Sequence, residues 1–270
     1  MGWSENTSLV AATLLALTLP APASGEPIPP QPLWGQLERA PLVVVGYVES
    51  NERLRVLETW KGRAPEVLEV YSDERVICPA PGRFEPGRLV LAFLSRDARW
   101  GFFRRADEGP PRWYPYGFAY GLVYADVEGL RQFRTLARKA LALQQRGRVT
   151  EAERLTWALE AASHAATRCH GLEDLAPERW RAWGAKRGEP ALASRLTGAQ
   201  RAALARSYAE DPSGTEDLTL LLPLVKGVPD ERLDAAVAAR IERAASDRYE
   251  SIWLPEVLTL AAERLPERAP

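Results

Sequence analysis

Two hydrophobic periodicities divide the chain. Between residues 42 and 94 apolar residues come in short blocks or alternate with polar ones, the pattern of strands. From Val127 onward the apolar positions follow a helical period instead. The block Leu-Val-Val-Val-Gly-Tyr-Val-Glu at residues 42–49 predicts a largely buried strand, with Gly46 marking a bulge or a close backbone approach. Leu54, Val56 and Trp60 fall at even spacing near Arg53, Arg55, Glu58 and Thr59, which predicts a half-exposed strand ended by a Lys61-Gly62 turn. Residues 67–72 and 88–94 predict two more strands, and 117–125 a fifth. Five short strands in succession point to a small β-barrel.

In the second half, Leu130, Phe133, Ala137, Ala140 and Leu141 share one face of a helix that starts at Val127 and is closed by Gly147. Thr150 with Glu153 spells a capping box for a helix through Ala166, and Thr197 with Gln200 spells another. Pro229-Asp230 opens a helix with Leu233, Val237 and Ile241 on its apolar face, and residues 251–265 form the last. These starts recur at about the 30–40-residue period of helical-pair repeats, without a shared residue pattern, so a HEAT-like array stays open beside an unrelated helical packing. The expected architecture is an α+β multidomain chain, with a five-stranded OB-like β-barrel at residues 38–126 and an all-α domain at 127–270.

Ahead of the barrel, residues 9–19 form an uncharged apolar run of 11 residues, followed by the small-residue site Ala21-Pro22-Ala23. That is too short to span a bilayer as a helix but fits the core of a cleavable secretory signal, although the segment before it carries Glu5 and no Lys or Arg. Residues 1–23 are read as a signal peptide and 24–37, with four prolines at 26–33, as an extended linker. The expectation is an exported protein, periplasmic or secreted, with no transmembrane anchor in the mature chain.

Composition narrows the function classes. Lys plus Arg is 35 against 36 for Asp plus Glu, so no global field draws in nucleic acid, and no nucleic-acid partner is expected. Residues 24–149 carry a net +4 and residues 150–270 a net −4, a split that favours attraction between the halves. Part of the excess is an arginine-rich face on the helix from Val127, with Arg131, Arg134, Arg138, Lys139, Arg146 and Arg148 against the single acid Glu128. We read it as a solvated face docking on acidic neighbours, with an anion-binding stripe as the rival reading. Two cysteines and two histidines are too few for a zinc ribbon or an iron–sulfur cluster.

The segments Ala40-Pro41-Leu42-Val43-Val44-Val45-Gly46-Tyr47-Val48, Arg55-Val56-Leu57-Glu58-Thr59-Trp60-Lys61-Gly62, and Cys78 followed by Phe84-Glu85-Pro86-Gly87-Arg88-Leu89-Val90-Leu91-Ala92-Phe93, resemble bacterial proteins with a domain similar to tissue inhibitors of metalloproteinases and netrin modules. The resemblance covers residues 38–95 and implies an OB-fold. Its most specific pieces are the Trp-Lys-Gly turn and the Cys followed by Phe-x-x-Gly. The inhibitors chelate the protease zinc through an N-terminal Cys-x-Cys, which has no counterpart here, so the resemblance carries fold and not inhibition. It places Cys78 at a disulfide-forming position whose usual partner in the same domain is missing. A bridge to Cys169, allowed in an exported protein, and two unpaired buried thiols both stand open.

Candidate chemistry is sparse. His164, Cys169 and His170 lie close in sequence, but histidines six apart on a helix point about 240° from one another, so they do not converge on a metal, and surface histidines at a helix end are expected. There is no G-x-S-x-G, P-loop or dinucleotide fingerprint, and a pair such as Glu173-Asp174 has no indicated substrate. No catalytic residue, metal or cofactor is assigned. The aromatic-rich stretch 100–124 is the one unusual feature, with nine rings in 25 residues. Trp100, Arg104, Arg105, Arg112, Trp113, Tyr114 and Tyr116 are the candidate binding residues, set against the reading that the rings fill the barrel and its seam. The leading expectation is a non-catalytic binding protein whose partner is another protein or an envelope component. A relative of protease inhibitors is second and a hydrolase using scattered carboxylates third.

Overall fold

The computed structural model describes residues 32–71, 82–96, 112–176, 192–246 and 254–264. Within them a curled antiparallel sheet is followed by a helical region. The sheet comprises β1 (Leu42–Ser50), β2 (Arg53–Lys61), β3 (Val67–Glu69), β4 (Leu89–Ser95), β5 (Tyr114–Pro115) and β6 (Leu122–Val123). Its order is β3-β2-β1-β4-β5, with β6 also on β4. β1 and β2 form a hairpin around Asn51-Glu52, and their pairing slips at three places, one of them between Val45 and Gly46 where the bulge was expected. Each slip adds twist and bends the sheet toward closure.

The two edges of this sheet meet. Val70, just past β3, makes a parallel bridge with Trp113, just before β5. Tyr71 N donates to Trp113 O and Trp113 N to Glu69 O, both at 2.9 Å. Leu42, Val44, Val48, Leu54, Leu68, Val70, Phe84, Val90, Ala92 and Leu94 fill the space inside.

β1 and β4 are buried on both faces, which explains why Leu42–Val45 reads as an unbroken apolar run rather than an alternation. Their other face, Val43, Val45, Leu91 and Phe93, joins a single core that continues into the helices. The expected fifth strand at 117–125 is corrected. Two short strands replace it, separated by a 3-10 turn at Phe118–Gly121. Pro115 has no N–H to donate and Gly117 has φ 79°, so the segment turns instead of running straight.

The linker expectation is also shortened, because α1 (Leu33–Arg39) occupies its end. Seven residues do not hold a helix by themselves, and no side chain caps this one. Packing holds it: Leu33, Trp34 and Leu37 are buried, and Trp34 meets Trp157 edge to face at 5.1 Å. Gln36 Nε2 donates to Tyr120 O at 2.8 Å and Gln144 Nε2 to Trp34 O at 3.2 Å, tying α1 to both halves.

The helices that follow are α2 (Val127–Gln145), α3 (Glu151–Ala162), α4 (Arg168–Leu175), α5 (Gly198–Glu210), α6 (Thr215–Leu224), α7 (Glu231–Ala244) and α8 (Leu254–Arg264). Both capping boxes form as spelled, at Thr150 and Thr197, and Asp126 and Asp230 cap α2 and α7. Two helices escape the periodic reading. The expected helix through Ala166 stops at Ala162, and α4 starts separately at Arg168. α6 is buried nearly all round and packs against α4, α5, α7 and α8, so it has no polar face to reveal a period.

Candidate functional site

Of the residues picked from the aromatic stretch, Trp100, Arg104 and Arg105 lie outside the described residues. The others are committed to the fold. Tyr114 is 1% exposed, with its ring edge-on to Tyr71 at 5.7 Å. Trp113 closes the sheet through its backbone, under the Arg96 guanidinium at 4.7 Å. Arg112 pairs with Glu52 at 2.8 Å, and Tyr116 packs against the core shared with the helices while its N–H bonds Phe93 O. The basic helix face is likewise engaged: Arg131 pairs with Glu128 on its own helix, Arg134 with Glu58 on β2, and Lys139 and Arg146 with Glu160 and Glu153 on α3. Arg146 and the capping contacts of Thr150 pull Glu153 down to about 2, the backbone N–H of Thr150 being the largest cause.

A different place has the shape of a site. Where the sheet, α1 and the α2–α3 turn meet, a cleft of about 830 Å³ opens, within the roughly 300–1,000 Å³ of small-molecule sites. Trp34 and Glu38 of α1 form one wall and Trp60, Lys61 and Gly62 another. Leu141, Gln144 and Gln145 of α2, with Val149, Thr150, Glu151 and Arg154, complete it beside Leu192. The turn's geometry requires glycine: Gly62 has φ 83°, and a Cβ there would stand 2.7 Å from Pro41 O.

Lys61 Nζ donates to Leu37 O at 2.7 Å and Glu38 O at 2.8 Å, a cation on the last carbonyls of α1. Burial lowers its pKa, and Glu38 works in the opposite direction. Trp60 Nε1 donates to Glu58 Oε2 at 3.1 Å, which fixes the indole at the mouth. Arg154 lies 5.8 Å over the Trp34 ring and bonds Asp174 at 3.1 Å, so its guanidinium is anchored from behind. The ionisable groups of the lining, Glu38 and Glu151 against Lys61 and Arg154, balance in formal charge. The cleft can bind through hydrogen bonds and aromatic contact.

A second polar cluster is sealed inside the helical half. Arg168 is 1% exposed. Its NH1 nitrogen donates to Asp211 O and Ser213 Oγ, both at 2.7 Å, its NH2 nitrogen to Ser207 O at 3.2 Å, and its Nε to Ala162 O at 3.3 Å. Ser213 Oγ in turn donates to Asp217. Burial raises the pKa of Asp217 and pushes the Cys169 thiol well up, which makes that sulfur inert at neutral pH. Cys169 is a free thiol, and Cys78, the other half of the bridge under consideration, lies outside the described residues.

The expectation of surface histidines holds for His164 and fails for His170. His170 stands edge-on to Phe133 at 5.6 Å, and its Nδ1 is sealed, though the ring keeps a partly exposed edge. Desolvation lowers its pKa to about 4 from 6.5. The unfolded chain therefore takes up a proton near pH 6.5 that the folded chain refuses, and stability falls from pH 6.5 down to about pH 4, by on the order of 2–3 kcal/mol. His170→Phe is expected to remove that part of the pH dependence in thermal melts at pH 7 and pH 4. Equal melting shifts in variant and wild type would refute the burial of a neutral imidazole.

Among the described residues no three His, Cys, Asp or Glu side chains are grouped to hold a metal ion, and no helix is long and apolar enough to cross a membrane. Sequence reasoning does not find Trp34, Gln145 or Arg154, because the cleft they line is assembled from segments far apart in the chain. The Trp60-Lys61-Gly62 turn is the one local signal that points to the cleft. Compared with family models, curated proteins and solved structures, the chain has no match in any of the three.

Proposed function

We propose that this chain is an exported, non-catalytic binding protein, built on an OB-like barrel locked against a helical array, with the seam cleft as its ligand site. The carrying observation is the cleft itself: two tryptophans, two side-chain amides and a charge-balanced rim gathered from elements far apart in sequence. Support for the OB-like reading comes from the strand order. β1 lies between β2 and β4, and the parallel contact at Val70 and Trp113 returns the sheet to β3, a five-strand Greek-key circuit. The partner is an envelope component met after export.

The test is co-sedimentation of the purified mature chain with an isolated envelope fraction. Wild type is expected in the pellet. Gln145→Trp, an exposed position on the cleft wall, places a bulky ring in the opening and is expected to leave most of the protein in the supernatant. Equal pelleting of both would remove the cleft from the function, and no pelleting of wild type would remove the function itself.

A further inference from the structure

We infer that the seam cleft takes a neutral oligosaccharide; this rests on the binding-protein reading above and names its ligand class. The cations of the lining are already engaged, Lys61 on the carbonyls of Leu37 and Glu38 and Arg154 on Asp174. Glu38 is exposed at the rim, and Glu151, also exposed, pairs with Arg195 at 3.5 Å. A phosphate- or carboxylate-rich ligand would meet Glu38 while both cations of the lining are held by their own partners, so anionic polymers are disfavoured. A cationic ligand would meet the Lys61 ammonium and find Glu151 already paired with Arg195.

The polar groups that remain suit hydroxyls. Gln145, Glu38 and Glu151 present donors and acceptors, while Gln144 Nε2 and the Thr150 hydroxyl are already bonded to Trp34 O and Glu153, and a sugar hydroxyl is donor and acceptor at once. A wholly apolar ligand would strip water from these groups without replacing their hydrogen bonds. Aromatic contact is supplied by Trp60, half-buried at the mouth with its N–H tied down to Glu58, so the indole is held in one orientation before a ligand arrives. The C–H face of a pyranose is apolar and its rim is hydroxylated, matching a ring flanked by amides and carboxylates. The volume of about 830 Å³ accommodates more than one sugar ring.

The experiment is calorimetric titration of the full mature chain with N-acetylchitotetraose and with maltotetraose, beside tetragalacturonate as the anionic counterpart. At least one neutral tetrasaccharide is expected to bind, and tetragalacturonate at least tenfold more weakly. Trp60→Ala is expected to weaken the neutral ligand about tenfold or more, with Trp60→Tyr recovering most of it. Should Trp60→Ala disturb folding, Gln145→Trp gives the same reading from an exposed position. Absence of heat with both neutral sugars at millimolar concentration, or affinity unchanged in Gln145→Trp, overturns the inference. Cleft-dependent envelope sedimentation that no neutral tetrasaccharide inhibits would overturn the sugar and leave the binding protein standing. Loss of sedimentation altogether would strike the wider reading instead.

Discussion

Gly171→Ala is expected to destabilise the helical half by about 3 kcal/mol or more, seen as a large drop in melting temperature and, at growth temperature, as insoluble protein. In an exposed helix the same change would be favourable by about 1 kcal/mol, because alanine is the better helix former. The surroundings reverse the sign here. A Cβ on Gly171 would stand 2.2 Å from Ala162 N, 2.6 Å from Ala158 O and 2.7 Å from Ala161 C, all backbone atoms of α3. A flexible side chain can move aside, but a helix backbone moves only by separating α3 from α4. That separation would open the core around Ala158, Ala161, Ala162 and Leu172, all buried in the same cluster. A melting temperature equal to or above wild type would mean that α3 and α4 do not cross at Gly171.

Arg168→Met is the second large effect, with an expected loss of about 3–5 kcal/mol in chemical denaturation. Methionine fills much of the volume but abandons the carbonyls of Ala162, Ser207 and Asp211, two of them at the C-terminal ends of α3 and α5. Ser207 O keeps the Asp211 N–H, but the carbonyls of Ala162 and Asp211 lose their arginine bonds, and the cost of leaving buried acceptors unmade adds to the loss of the cation at the helix ends. Arg168→Lys is expected to fail nearly as badly, since one ammonium cannot reach targets that a planar fork contacts from several nitrogens. Pairing Arg168→Met with Asp217→Leu should recover little, because most of the arginine's bonds go to carbonyls and not to the carboxylate. Full recovery in that double variant would show the cluster to be an ion pair at heart and would contradict the carbonyl-capping account.

These two residues share a property with the cleft: nothing near them in sequence announces them. Gly171 reads as a helix-weakening residue until the second helix is laid across it. Arg168 looks like one more surface arginine among many in an arginine-rich chain. Trp34 sits beside a run of prolines, where an extended segment was the reasonable expectation, and becomes part of a core only because Trp157 and α2 arrive from more than a hundred residues away. The aromatic stretch left two readings open, a ligand platform and rings that fill the barrel and its seam. In its described part Tyr114 is inside the fold and Trp113 joins the sheet edges through its backbone.

Local chemistry carried the rest. The strand and helix halves, the caps at Thr150, Thr197 and Asp230, and the helix stop at Gly147 depend on contacts within a few residues, so composition and spacing by themselves determined them. Tertiary structure decided what depends on elements meeting: closure of the sheet at Val70 and Trp113, burial of β1 and β4 on both faces, the hub position of α6, and the cleft. The physical reason is range. Backbone dihedral preference and capping bonds act along the chain, whereas burial and pocket shape arise only between surfaces that sequence distance keeps apart.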